Sequence, residues 1–168
     1  MHIFTIVLRF LHVFGGAFWF GAAIFMGFFI SPAVAATAEA GQRFMGHLVL
    51  KARIHTILAA SAGTTILAGA LLYWIDSEGG NSAWTRSGPG IMFGIGGFFG
   101  LIGFIFGMMI GKNIKILAET GSQIQGKPTP EQMGKIQAAQ KQLKVVGPIS
   151  SFSLIIAVAC MSVARYWF

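Results

Sequence analysis

Charge is scarce in this chain of 168 residues: Asp, Glu, Lys and Arg together make up 10% of it, against about 25% in a soluble domain. Carboxylates are scarcer still. The five are Glu39, Asp76, Glu78, Glu119 and Glu131, and all fall in connections or at the edges of apolar runs. That placement disfavours acid–base catalysis by a buried carboxylate pair, and proton-coupled transport through an embedded Asp or Glu. The one cysteine, Cys160, lies in the last apolar run. It rules out an internal disulfide and a thiolate metal site built within one chain, and it reads as a small packing residue. Zinc-protease histidine spacing, a phosphate-binding loop, a dinucleotide glycine fingerprint and a nucleophile elbow are all missing.

What the chain has in abundance is apolar length. Hydrophobic residues make up 55% of it, and its mean hydropathy is +0.72. Four runs are long enough to cross a hydrocarbon core of about 30 Å. The expected fold is therefore all-α: a polytopic transmembrane four-helix bundle forming a single domain over residues 1–168. The spans are placed at about 3–30, 53–75, 91–111 and 149–167. The first run is too long for a signal-peptide core, and the Ala-rich stretch that follows is not succeeded by a soluble domain. Ser31-Pro32 is expected to end the first helix, and part of the next connection reads as an interfacial helix.

The polar stretch 112–146 reads as a cytoplasmic helical hairpin that extends the third and fourth helices. Gly126-Lys127-Pro128 makes its turn, and Thr129, Pro130 and Gln132 form a capping box. Gly147-Pro148 is expected to kink or interrupt the chain before the fourth span.

The net charge of +7 would suggest nucleic acid in a soluble protein. Here the basic residues flank membrane spans, so no nucleic-acid partner is expected. Nine of the twelve lie in two connections: Arg43, Lys51 and Arg53 in one, and Lys112, Lys115, Lys127, Lys135, Lys141 and Lys144 in the other. The positive-inside rule places both in the cytoplasm and both termini outside a multi-pass protein of the cell membrane. Gly96 with Gly100, and Gly103 with Gly107, put small residues at four-residue spacing on nearby faces of the third helix. Such a seam either packs the bundle internally, forms a homodimer or larger-complex face, or beds a flat cofactor.

Ionisable groups at membrane depth are functional candidates, which singles out Arg9 and His12 within residues 9–19. Imidazole is a natural axial ligand for haem iron. Arg9 lies one turn before His12 and could meet a haem propionate, while Gly15 and Gly16 leave room for a flat ring and Trp19 adds a large one. The competing reading is a histidine hydrogen-bonded to a neighbouring helix, with Arg9 reaching to the interface. His47, Lys51 and His55 fall on one face if the second helix begins early. They form either a second ligand set or interfacial contacts to lipid phosphates. His12 and His55 differ in depth by roughly 15–25 Å at 1.5 Å per residue, so one haem cannot join them. Met92 and Met161 are the alternatives for a second axial ligand.

The pattern Leu11-His12 followed by Trp19-Phe20-Gly21, together with the basic Lys51-Ala52-Arg53 and the later Leu67-Ala68-Gly69, resembles small haem-linked membrane families. The likeness is to the HemJ type of protoporphyrinogen oxidase and, in general style, to the CopD copper-resistance family, over about residues 8–70. It implies haem b on His12 and electron transfer or porphyrinogen oxidation. The glycine-rich third helix and the Lys/Gln hairpin depart from that pattern. Two other classes stand beside it: a cofactor-free membrane scaffold or accessory subunit, and copper binding or passage through His12 and the methionines.

Overall fold

The computed structural model describes residues 2–80 and 82–167, with no description of the Ser82 side chain. Those residues form an all-α protein without strands. The elements are α1 (His2–Phe25), α2 (Ser31–Ala36), α3 (Ala38–Gly46), α4 (Ile54–Asp76), the short α5 (Ser82–Thr85), α6 (Gly88–Ser122) and α7 (Pro130–Val163). Four helical stretches are long and apolar enough to cross a membrane: His2–Ala36, Ile54–Asp76, Gly88–Ser122 and Pro130–Tyr166. The chain is a multi-pass membrane protein.

Pro32, expected to end the first helix, does not, and Pro148 does not interrupt the last one. Pro32 sits in the first turn of α2, directly after a π-helical turn over Met26–Ile30. That turn shifts the backbone bonding register, and the Ser31 hydroxyl donates to the Met26 carbonyl at 2.9 Å. A missing proline N–H is thereby tolerated, and the helix runs on to Ala36. The chain turns instead at Thr37 and Ala38, the latter with a φ of 46°. Likewise α7 runs unbroken through Pro148, because a transmembrane helix packed on neighbours accommodates one lost backbone bond. The expected hairpin turn does form: Gly126 takes a φ of 84°, and the Thr129–Gln132 capping box closes in both directions, at 3.2 and 2.9 Å.

The long antiparallel pair α6–α7 is the backbone of the bundle, and small residues set its spacing. Gly96, Gly100 and Gly103 are buried. A Cβ on Gly103 would sit 2.6 Å from Leu154 Cδ2, and one on Gly96 would sit 2.8 Å from Met161 Cγ. The Ser150 hydroxyl donates to the Gly103 carbonyl at 3.0 Å, a bond made possible by the close approach. Gly100 faces Ile66 of α4. Of the three roles open to the glycine seam, the structure uses it for packing within the chain. Gly96, Gly100 and Gly103 pack under α7 and α4, whereas Gly107 is only partly buried.

α4 lies against α6, and α1 lies antiparallel against α4. Trp19, 6% exposed, is buried with Ala62 and Leu154 and meets Phe104 edge-on at 6.3 Å between ring centroids. It ties α1 to the other three spans. Most other large side chains on α1 remain exposed, as expected of a lipid-facing helix. At 1.5 Å per residue α6 is about 52 Å long, so it stands well clear of a hydrocarbon core. Its polar end pairs with α7 through Asn113 Nδ2, which donates to Gln142 Oε1 at 2.9 Å and to the Met109 carbonyl at 2.8 Å.

If Gly103 sets the α6–α7 distance, Gly103→Leu will destabilise the purified protein by roughly 1–3 kcal/mol through overpacking. Gly97→Leu, at a position with open space around it, will change stability by less than about 0.5 kcal/mol. Thermal unfolding in detergent measures both, and equal effects would rule the seam out.

Candidate functional site between α1 and α4

His12 lies near the middle of α1 and faces α4. Its Nδ1 donates to the Thr65 carbonyl at 2.8 Å. The acceptor is a carbonyl, so Nδ1 carries the proton and Nε2 keeps its lone pair. The ring lies on Gly69, where a Cβ would be 2.6 Å from Cε1 and 2.8 Å from Nδ1. Glycine at 69 therefore lets the imidazole reach the backbone of the next helix. One turn further on, the Ser61 hydroxyl donates to the Gly15 carbonyl at 2.9 Å, and the Thr65 hydroxyl donates to the Ser61 carbonyl at 2.8 Å. Polar side chains of α1 and α4 thus bond to backbone across or along the interface, as packing in lipid requires.

Several expected site residues have other work. The gap left by Gly15 and Gly16 is filled by Thr65, whose Oγ1 and Cγ2 would lie 2.8 and 3.3 Å from the respective added Cβ atoms. No flat ring enters there without displacing α4. Trp19, two turns beyond His12 on the face of α1 that meets α4, is taken up by the core described above. Arg9 Nη2 stands 3.7 Å from Asp76 Oδ1, with side chains 49% and 37% exposed. The guanidinium thus has a carboxylate partner at the end of α4, in a pair that solvent screens. Met161 lies against Gly96 on α6, whereas His12 lies on α4, so the structure does not present it as an axial partner.

His47, Lys51 and His55 do not share a face. His47 and Lys51 are exposed at the two ends of a π-helical turn, His47–Lys51. The chain then breaks at Arg53, whose φ of 52° is left-handed. His55 follows on the separate helix α4, with its Cβ 3.8 Å from the position of a Cβ on Gly111. The break changes direction between Lys51 and His55, which sequence spacing along one imagined helix could not register. The Nδ1 of His55 is buried without a hydrogen-bond partner. His12 contacts Thr65 and Gly69, ten and fourteen residues beyond His55, or roughly 15–21 Å along α4. The two histidines are therefore at different depths. Among the described residues no group of three or more His, Cys, Asp or Glu side chains is placed to hold a metal ion.

The donor set thus supplies one imidazole with its tautomer fixed and one free nitrogen, but no space for a porphyrin between α1 and α4. A haem does not fit the interior of this site. Thr65, Gly69, Ser61 and Asp76 were not singled out as site residues from the sequence. Asp76 had one usable signal, since Arg9 and Asp76 occupy matching positions at one end of two antiparallel spans.

No family model, curated protein or solved structure matches the chain. The HemJ-like and CopD-like resemblance over residues 8–70 accordingly rests on its own few residues.

If Gly69 is the seat of the His12 ring, Gly69→Ala will destabilise the protein by roughly 1–2 kcal/mol and will cost much less in a His12→Ala background. His12→Ala alone will cost about 0.6 kcal/mol, the usual size of an interhelical bond in lipid. A double-mutant cycle read by unfolding in mixed micelles gives the coupling. Additive effects would show that the ring does not lie there.

Proposed function

We propose that this chain is an integral membrane protein that works by association, as a scaffold or accessory subunit without a resident prosthetic group. The observation that carries this reading is how its interior is occupied. The small-residue gaps at Gly15, Gly16, Gly69, Gly96 and Gly103 are each filled by a side chain of the same protein. His12, the strongest ligand candidate, is engaged with Thr65. What the bundle holds out from the membrane is the basic hairpin over residues 112–146, and this is the contact element for a partner.

Antiparallel packing puts Arg9, Asp76, Gly96 and Met161 toward one end of the bundle and Asn113 with Gln142 toward the other. The second end carries the hairpin and nine of the twelve basic residues. By the positive-inside rule that end faces the cytoplasm, with both termini outside the cell membrane.

One observation favours a second reading. A histidine whose Nδ1–H is held by a backbone carbonyl, with Nε2 free, has the orientation of a metal-ligating imidazole. The HemJ-like resemblance implies haem b on that nitrogen. Such a haem would have to lie outside the filled α1–α4 interface, so no chemical step is derived through it. Copper binding at His12 would likewise draw on Nε2 alone, because Met161 packs elsewhere.

Absorbance spectra of protein purified from haem-replete cells, oxidised and reduced, separate the two readings. The association reading expects no Soret band and no bound copper by metal analysis, in the native chain and in His12→Ala alike. A Soret band lost in His12→Ala would overturn it. Orientation is checked separately with a Cys160→Ala protein carrying Gln125→Cys in the hairpin turn. An impermeant maleimide is expected to label it only after cells are opened, and labelling of intact cells would reverse the topology.

A further inference from the structure

Where the hairpin leaves the apolar span, the surface of the α6–α7 pair carries a groove of about 200 Å³ lined by Lys112 and Lys135. The small side chain of Ala139, 3% exposed, opens it, and Asn113, 4% exposed, forms part of its floor. Asn113 directs its Nδ2 to Met109 and Gln142. That bond uses Gln142 Oε1, so the amide nitrogen is the donor that Gln142 has left to offer. The groove is therefore lined by two lysines and two side-chain amides beside the apolar Ile116, Ala138 and Ala139.

Charge and depth both point to an anion. Residues 112–146 carry six lysines against Glu119 and Glu131. Each of these acids is paired with a lysine of its own helix, Lys115 at 3.6 Å and Lys135 at 2.8 Å. The Lys135–Glu131 pair is 58% and 79% exposed, so water already screens it and an incoming anion competes with a weak partner. Lys135 beside it also holds the Glu131 carboxyl below its ordinary range. Lys112 has no ion pair among the described residues. It is the first charge after the 21-residue run 91–111, whose length of about 31 Å matches a hydrocarbon core. That register sets Lys112 at the level of lipid phosphates, where each basic side chain strengthens binding to anionic headgroups.

We propose that this groove binds the phosphate of an anionic phospholipid headgroup, held between Lys112 and Lys135 with Gln142 as a neutral donor. The site ties the foot of the hairpin to the membrane surface and fixes its angle there. It stands whether or not a protein partner binds the hairpin further out.

The test titrates the purified full chain in neutral detergent with phosphatidylglycerol, phosphatidylcholine, glycerophosphoglycerol or inorganic phosphate, reading thermal stability and lipid retention by native mass spectrometry. Phosphatidylglycerol is expected to stabilise the protein saturably and to be retained, and phosphatidylcholine is not. The Lys112→Gln/Lys135→Gln variant is expected to weaken this roughly tenfold or more. The charge-matched Lys127→Gln/Lys141→Gln variant, with both changes outside the groove, is expected to bind as the native chain does. Equal weakening in both variants would replace the site with diffuse attraction to a basic surface and overturn the proposal. Equal saturation by inorganic phosphate or the free headgroup would overturn the lipid as its occupant. Circular dichroism melts of each lipid-free variant separate lost binding from lost folding.

Discussion

Close backbone approach between α6 and α7 is the constraint on which the rest of this structure depends. In lipid there is little hydrophobic gain from bringing two apolar helices together, so packing and short polar bonds must hold them. Glycine at 103 admits the Leu154 side chain and lets the Ser150 hydroxyl reach a backbone carbonyl. Because the two helices touch along nearly their whole length, the same pairing continues beyond the apolar span. There Asn113 and Gln142 keep the hairpin closed. The closed pairing of the polar extension continues the close approach set by the glycines of the apolar span.

The remaining spans are added to that pair in turn. α4 rests on α6 through Gly100 and Ile66, and α1 rests on α4 through the contacts of Gly15 and Gly69. Trp19 carries α1 into the common core, with Phe20 packed against it. This order explains why the polar residues of α1 matter. With one main neighbour, α1 is held by the His12 ring bonded to the Thr65 carbonyl and by the Ser61 hydroxyl of α4 bonded to the Gly15 carbonyl, assisted by an exposed ion pair at the end. The same imidazole that suggests a ligand is thus also a fastener, and its free Nε2 keeps a chemical reading alive beside the structural one.

The four apolar spans, the extension of the third helix and the capped start of the fourth were legible from composition and local signals. The prolines misled, because a proline rule describes a helix in isolation. Pro32 follows a π-helical turn that changes the bonding register, and Pro148 sits in a helix held by neighbours. The face shared by His47, Lys51 and His55 was drawn on a continuous helix that Arg53 breaks with a left-handed backbone. A side chain that strains its backbone in this way leaves no simple mark in the residue order, since glycine is the usual occupant of that conformation.

By itself the sequence determined that the chain crosses a membrane several times, that its basic residues gather at one end, and that a polar helical hairpin stands there. Those features follow from hydrophobic length, charge placement and capping chemistry, all of which act within a few turns of chain. Only the tertiary structure decided what the small residues make room for. A glycine reads the same whether a porphyrin, a second copy or a side chain of its own protein fills the space. Here Thr65, His12, Met161 and Leu154 fill it, because antiparallel helices brought together residues 49 to 65 positions apart.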